Sequence, residues 1–394
     1  MKAAASTSVG RSERVSRYVS EQLLNMHPAY FAMSMATGIV SIACFLLGLR
    51  VLFPLLFWIN VFAYALIWIA MIARVVVHPK AFLSDWTSHQ RGPGYFTSVA
   101  ATCVLGSQFV LFRHEPGIGF ALWGFGLFLW AVCTYTVFVA LSIREEKPSL
   151  ADGINGGWLI AVVATQAVCV LGCQVLPDRL GNRDAALFLL TSFWLCGGML
   201  YIWMISLIFY RYTFFRFSPS DLMPPYWINM GAVAISTLAG TALLGATGDS
   251  PLAASLRPFV RGFTMLFWAT ARWWIPMLLV LGIWRHGVKR VPFSYNPLYW
   301  GLVFPFGMYS VCTYRLGQTL ELPFLTWLAR GFVIVAISAW VLTFFGLLAR
   351  FLYLFLLAAR ALSRPSVASS GPAVMHPAVL VQASANSSSS GGPS

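Results

Sequence analysis

The chain has 394 residues, of which 59% are apolar, 15% are aromatic and only 10% are charged. Soluble domains are about 45–50% apolar and about 25% charged, so this composition excludes a soluble fold, and it excludes disorder for most of the chain. The net charge of +14 does not indicate nucleic-acid binding, because the basic residues lie between apolar runs and not along one face.

Ten apolar runs are long enough to cross a bilayer, which takes about 20 residues of α-helix. They lie at roughly 28–49, 52–77, 94–112, 117–142, 153–176, 185–210, 226–247, 258–285, 298–316 and 323–348. None shows the alternation of apolar and polar residues that a transmembrane β-barrel requires. The sequence therefore predicts an all-α polytopic membrane protein. Its predicted parts are a cytoplasmic segment (1–26), a transmembrane domain (27–350) and a cytoplasmic tail (351–394), disordered from about residue 363.

The basic residues also predict the orientation. With the N-terminus inside, about 17 of the 26 lysines and arginines lie on the cytoplasmic side and about 6 lie outside. Cytoplasmic loops are enriched in these residues. We therefore expect a multi-pass protein of the cytoplasmic (inner) membrane with both termini in the cytoplasm.

The spans fall into pairs, which suggests five helical hairpins. The odd-numbered spans contain about 16 aromatic residues and the even-numbered ones about 33. Aromatic residues suit lipid-facing surfaces, whereas small and hydroxyl residues suit close helix contacts or a polar lining. We therefore expect the odd helices to form an inner pore ring and the even helices an outer ring, although the ninth span is itself aromatic.

Small and hydroxyl residues in the odd-numbered spans are the candidates for the pore lining. In the first span, Ser34, Thr37 and Ser41 share one helix face. For any single span, a helix–helix contact is the commoner reason for such residues, but their recurrence favours a lining. The full set is Ser34, Thr37, Gly38, Ser41, Ser98, Thr102, Thr165, Ser236, Thr237 and Thr241.

Acidic residues and histidines are confined to loops, termini and span edges. This disfavours b-type cytochromes, carboxylate proton relays and intramembrane metalloproteases, which need such residues inside the bundle. We expect no metal and no cofactor. A pathway without acids in a positively charged chain favours anions. Arg272, in the middle of the eighth span before Pro276, is a possible anion contact; alternatively it snorkels or pairs with carbonyls beside the proline.

The ninth span contains the motif FPFG at residues 304–307. Pro305 removes a helix hydrogen bond, so Pro305 and Gly307 predict a kink or break. At such a position Phe304 or Phe306 is able to close a narrow pore by steric block and dewetting. The alternative is that both rings are packing residues.

Three segments carry a family resemblance: HPAYFAMSMATGIVSIA (27–43), FWATARWWIPMLL (267–279) and WGLVFPFGMYSV (300–311). Through them, residues 27–350 resemble the tellurite-resistance/dicarboxylate transporter family, which includes TehA-type proteins, slow-type anion channels and fungal malate and sulfite transporters. The resemblance implies five hairpins around a central pore, a homotrimer, no enzymatic activity and no cofactor. It also implies a pore-occluding phenylalanine on the ninth helix, best matched by Phe304 and next by Phe306.

The resulting hypothesis is membrane transport of small anions, such as a C4-dicarboxylate like malate, chloride, nitrate or sulfite, through a pore gated by Phe304. The expected partners are these solutes and membrane lipid, not nucleic acid. One alternative is a proton-coupled dicarboxylate or sulfite/tellurite carrier. A more remote alternative is a membrane enzyme or redox protein.

Overall fold

The structure is a computed structural model that describes residues 13, 16–248, 250–292 and 295–363. Most of these residues are helical, and none of them forms a strand, so the predicted all-α fold is confirmed. The ten long helices are α1 (Ala32–Leu46), α2 (Leu52–Val77), α3 (Phe96–Arg113), α4 (Pro116–Ile143), α5 (Ile160–Val175), α6 (Arg183–Phe214), α7 (Ile228–Ala246), α8 (Pro251–Ile283), α9 (Trp300–Thr319) and α10 (Leu325–Ser363). The predicted disordered tail after residue 363 lies outside the described residues.

Nine helices of the described part of the chain are long and apolar enough to cross a membrane. The tenth long helix, α9, falls short because it carries Arg315 and several polar residues along its 20-residue length. Helices α1, α7 and α10 pack around α9. Since protein encloses it, α9 does not need the apolar surface that lipid contact would require.

The odd-numbered helices form a ring. Each packs against two others, in the order α1–α3–α5–α7–α9 and back to α1. In the first four odd-numbered spans 72–83% of the residues are buried, against 22–39% in the even-numbered spans. We call the five odd-numbered helices the inner ring and the five even-numbered helices, which present aromatic and aliphatic side chains to the membrane, the outer ring.

Small residues allow the inner helices to approach closely. A Cβ atom added at Gly231 of α7 would lie 2.8 Å from Cγ of Pro305 in α9. One added at Gly38 of α1 would lie 2.5 Å from Cγ1 of Val104 in α3. Helix α9 runs through Pro305 without the predicted break. The freed carbonyl is that of Gly301, in the first turn, so little of the helix depends on the lost bond.

A 3-10 turn precedes each inner helix, and we call these five segments the opening turns. They are Pro28–Phe31, Gly92–Tyr95, Gly156–Leu159, Pro224–Trp227 and Pro297–Tyr299. Each combines proline or glycine with an aromatic residue. The turns contact one another in the same cyclic order as the helices that follow them. They are a residue-level repeat that accompanies the five helix pairs.

Candidate functional site

The first of two cavities along the axis of the inner ring lies at the N-terminal ends of its helices. This N-terminal cavity has a volume of about 490 Å³. All five opening turns contribute to its wall, through Ala29, Gly94, Gly157, Pro225 and Leu298. The positive ends of five helix dipoles therefore converge on one space, and backbone N–H groups at helix N-termini favour anions.

Three arginines at the N-terminal cavity face three carboxylates, two of which are in ion pairs, so the formal charges largely cancel. Arg91 contacts Asp85, with 2.7 Å between Nε and Oδ1, and the fully buried Arg74 lies 2.7 Å from the other oxygen of the same carboxylate. Arg211 lies 3.6 Å from Asp221. Because these arginines are paired, the attraction of this cavity for anions comes mainly from the helix ends.

Side chains cap three of the opening turns. His27 Nδ1 accepts a hydrogen bond from the N–H of Ala29 at 3.0 Å, and Asn155 and Asn296 cap their own turns in the same way. Burial, reinforced by the nearby positive charge of Arg91, lowers the pKa of His27 from its ordinary value of 6.5 to about 4. His27 is therefore neutral at neutral pH, as an accepting ring nitrogen requires.

The second cavity lies at the C-terminal ends of the same helices and has a volume of about 290 Å³. The last turn of each inner helix reaches this C-terminal cavity, through Leu46, Leu111, Gln174, Ala246 and Thr319. Its wall is mostly apolar, and among the described residues Arg315 is the only charged one that lines it. In the part of the chain that the structure describes, no ion pair reaches the Arg315 guanidinium.

Phe304 lies between the two cavities. On α9, Gly301 lines the N-terminal cavity, and Met308 and Val311 line the C-terminal cavity. Phe304 falls on the same helix face between them, and its exposed fraction is 0%. At the corresponding step three other inner helices carry small, fully buried residues, namely Ala100 of α3, Ala164 of α5 and Ala232 of α7.

The rest of the FPFG motif faces the neighbouring helices. The ring of Phe306 lies 4.7 Å from that of Trp227, at the start of α7. Pro305 packs against Gly231, and Gly307 packs against Ile39 of α1. The structure therefore separates the two candidate phenylalanines, with Phe304 facing the axis and Phe306 at a contact between helices.

Most of the predicted lining residues bond to other helices. Thr241 lines the C-terminal cavity. Four others each form a hydrogen bond with an aromatic residue of the outer ring; they are Thr37, Thr102, Thr165 and Ser236. The pairs are Trp340–Thr37 (2.9 Å), Tyr64–Thr102 (2.8 Å), Trp130–Thr165 (2.8 Å) and Trp194–Ser236, where the carbonyl accepts (2.9 Å). A fifth bond, from Trp268 to Thr313 (3.0 Å), means that every outer helix is bonded to the next inner helix, including α10 to α1.

The remaining candidates also lie away from both cavities. Ser34 donates to Asn60 of α2 at 2.6 Å, and Ser41 donates to the carbonyl of Phe53 at 2.8 Å. Ser98 and Thr237 donate to carbonyls of their own segments, and Gly38 packs between helices. The side chains of α1 that face the axis are apolar: Ala32, Met35, Ile39, Ile42 and Leu46. The lining predicted from hydroxyl residues is thus replaced by an apolar one along α1.

Arg272 lies on the outer side of α8. Its side chain is exposed in a groove between α8 and α10 whose wall includes Trp268, Leu328 and Phe332. It lines neither axial cavity.

Two features of the site were not predicted from the sequence, namely Arg315 and the opening turns. A signal for Arg315 was present. Its position follows the face that Phe304, Met308 and Val311 define, at intervals of four, three and four residues. The opening turns share only proline or glycine followed by an aromatic residue, which is too short a pattern to stand out.

Comparisons with known proteins identify a matching family and several relatives. The model of the voltage-dependent anion channel family (SLAC1) matches residues 25–348. A sulfite efflux pump of Arthroderma benhamiae is 25% identical over 350 residues, covering 81% of this chain and 89% of its own. An uncharacterized transporter of Methanocaldococcus jannaschii is 25% identical over 326 residues, covering 81% of this chain and 93% of its own. An uncharacterized membrane protein of Mycobacterium tuberculosis is 40% identical over 149 residues, covering 38% of this chain and 75% of its own.

Proposed function

Because the chain belongs to the voltage-dependent anion channel family, we propose that it conducts small anions passively along the axis of its inner ring. Membership and the named relatives support anion transport, and they indicate a transporter or channel and not an enzyme. The proposed path runs from the N-terminal cavity past Phe304 into the C-terminal cavity.

The observation that carries this proposal is the position of Phe304 between two cavities at opposite ends of one ring. An apolar constriction blocks ions by its bulk and by excluding water. The helix N-termini at one cavity favour anions. Among the described residues no carboxylate lines the C-terminal cavity; of the two at the N-terminal cavity, Asp221 is paired with Arg211 and Asp152 is exposed at the surface.

We propose chloride, nitrate, sulfite and C4-dicarboxylates such as malate as the substrates to compare. The sulfite efflux pump among the relatives supports sulfite. We further propose a cytoplasmic-membrane location, cytoplasmic termini and a homotrimer with one path in each protomer. Arg272 lies outside this path and keeps no proposed role in it.

A proton-coupled carrier is the second candidate function. It is favoured by titratable groups, Asp152, Asp221 and His27, in the wall of the N-terminal cavity. Coupled transport predicts that anion uptake into proteoliposomes follows an imposed pH gradient at a fixed membrane potential. Passive conduction predicts that uptake follows the potential and the anion gradient alone.

The experiment that tests the gate is Phe304→Ala in proteoliposomes. Removing the ring from the constriction should raise chloride and nitrate flux about tenfold, which corresponds to about 1.4 kcal/mol off the barrier. Flux is measured by a halide-sensitive dye, and the same preparations are compared across the four anions.

Phe306→Ala is the matched control. It removes the same type of side chain two residues further along α9, where the ring contacts Trp227. Its flux should stay close to that of the wild type. Equal flux for the wild type and both variants would overturn the gate assignment. A larger increase for Phe306→Ala than for Phe304→Ala would assign the gate to the other ring.

A further inference from the structure

Arg315 lies at the C-terminal end of the proposed path. It follows Phe304 on α9 by eleven residues, which is three helical turns on the same face. It is half-buried in the wall of the C-terminal cavity. The other polar side chains there, such as Ser107, Gln174 and Gln318, are uncharged.

The helix ends make this cavity unfavourable for anions. Five inner helices end there, and each C-terminus carries about half a negative charge on its unpaired carbonyl groups. The same ring that attracts anions at one end therefore repels them at the other. A single positive charge in the wall offsets that repulsion locally.

Within the described residues the Arg315 guanidinium has no acidic partner. In the described part of the chain no carboxylate lines the cavity, and no ion pair includes Arg315. By contrast, Arg91 and Arg211 at the N-terminal cavity are both paired. A partly desolvated arginine without a carboxylate is free to pair with an anion that enters.

We propose that Arg315 is the anion-binding residue of the C-terminal cavity and that its charge makes this end of the path passable to anions. The inference rests on the proposed function, because it assigns a role within the same pathway. The anion that Arg315 binds is a halide or a small oxyanion, because the cavity has a volume of about 290 Å³. Arg315 acts on permeation and selectivity, whereas Phe304 acts on closure.

The test uses the full chain in planar bilayers with Phe304→Ala as the conducting background. At low salt, adding Arg315→Gln should lower the anion current that enters from the C-terminal cavity about tenfold. This is the lower end of the effect that a charge in a cleft has on the local concentration of its counter-ions. The substitution should also change rectification and reduce the chloride-to-sodium permeability ratio. The effect should shrink at high salt because screening shortens the reach of the charge.

Two variants make the result specific. Arg315→Lys keeps the charge and should restore most of the current. Arg113→Gln removes an exposed arginine from the last turn of α3 that does not line the cavity, and it should leave current and selectivity unchanged.

The outcomes separate the two proposals. If Phe304→Ala passes no anion, the proposed function fails and this inference falls with it. If Phe304→Ala conducts but Arg315→Gln leaves current, rectification and selectivity as they were, the role of Arg315 is overturned and the proposed function stands. If Arg315→Gln lowers the unfolding temperature but not the current carried by each channel, Arg315 only stabilises the C-terminal end of its helix, and the inference is wrong.

Discussion

Hydroxyl side chains of the inner helices illustrate how one residue type serves two purposes. Thr37 points away from the axis and accepts a hydrogen bond from Trp340, although it belongs to a helix that faces a cavity. The sequence identified the right helices and the polar residues in them. It did not identify their direction, because an inner helix is buried on all its faces and its apolar periodicity no longer marks one side.

Replacing Thr37 by valine tests this assignment. Thr37→Val keeps the shape but removes the acceptor of the buried Trp340 Nε1–H, so stability in detergent should fall by about 1 kcal/mol. Anion selectivity should not change, because Thr37 does not line the path. The measurements are thermal unfolding in detergent and relative anion permeability.

Thr270→Val is the matched control, since the hydroxyl of Thr270 bonds only to a carbonyl of its own helix on the exposed side of α8. It should affect stability much less than Thr37→Val. A change of anion selectivity in Thr37→Val would instead support the lining role first predicted from the sequence.

The FPFG motif shows where sequence and structure complement each other at the residue scale. Residue type and resemblance gave two candidate rings, Phe304 and Phe306, which lie about 200° apart around a helix. Choosing between them requires the rotation of α9 within the ring, which depends on the contacts of Pro305 and Gly307 with two other helices. Contacts of that kind are tertiary and leave no local pattern.

At the scale of elements, the opening turns are the repeated unit of this fold. His27, Asn155 and Asn296 perform the same capping bond before three different helices. Asparagine accepts such a bond without a titratable group, whereas histidine does so only in its neutral form. The first turn is therefore the one whose cap depends on pH.

The low pKa of His27 makes stability pH-dependent. In the unfolded chain His27 binds a proton below about pH 6.5, but in the folded protein it does so only below about pH 4. Between these values the unfolded state binds more protons, so stability is greatest above pH 6.5 and falls as the pH decreases towards 4. We expect the unfolding temperature in detergent to decrease between pH 7 and pH 5.

The variant His27→Asn should remove part of this decrease while keeping the cap, because the chain uses asparagine at two equivalent positions. His114→Asn is the control: His114 is exposed and has a positive φ of 55°, a conformation that asparagine tolerates. If His27→Asn shows the same loss of stability between pH 7 and pH 5 as the wild type, the pKa of His27 is not the cause.

For the whole molecule, the sequence predicted ten spans and a difference in composition between odd and even helices; nine of the described helices are long and apolar enough to cross a membrane. The structure adds the order in which the helices close the ring. The bond between Trp340 and Thr37 joins residues 303 positions apart and connects the last helix to the first. Local periodicity carries no information about such a contact, whereas length and hydropathy identify every long helix as a span except the enclosed α9.

The orientation of the ring determines which cavity faces the cytoplasm, and the basic loops predict that the N-terminal cavity does. A cysteine replacing Asp178, in the exposed loop between α5 and α6, should be labelled by a membrane-impermeant maleimide in intact cells. A cysteine replacing Lys147, in the loop before α5, should be labelled only after permeabilisation. The seven native cysteines are buried or partly buried, so background labelling should be low.

The electrostatic asymmetry of the ring gives this labelling result a functional consequence. With the expected pattern, the five helix N-termini draw anions from the cytoplasm, and Arg315 meets them at the outer end of the path. In oriented membrane vesicles at low salt, adding Arg315→Gln should lower the anion current of the Phe304→Ala protein. Raising the salt concentration on the external side alone should abolish this difference, because it screens the charge of Arg315. Labelling of the Lys147 position in intact cells would reverse the orientation and would move this salt dependence to the cytoplasmic side.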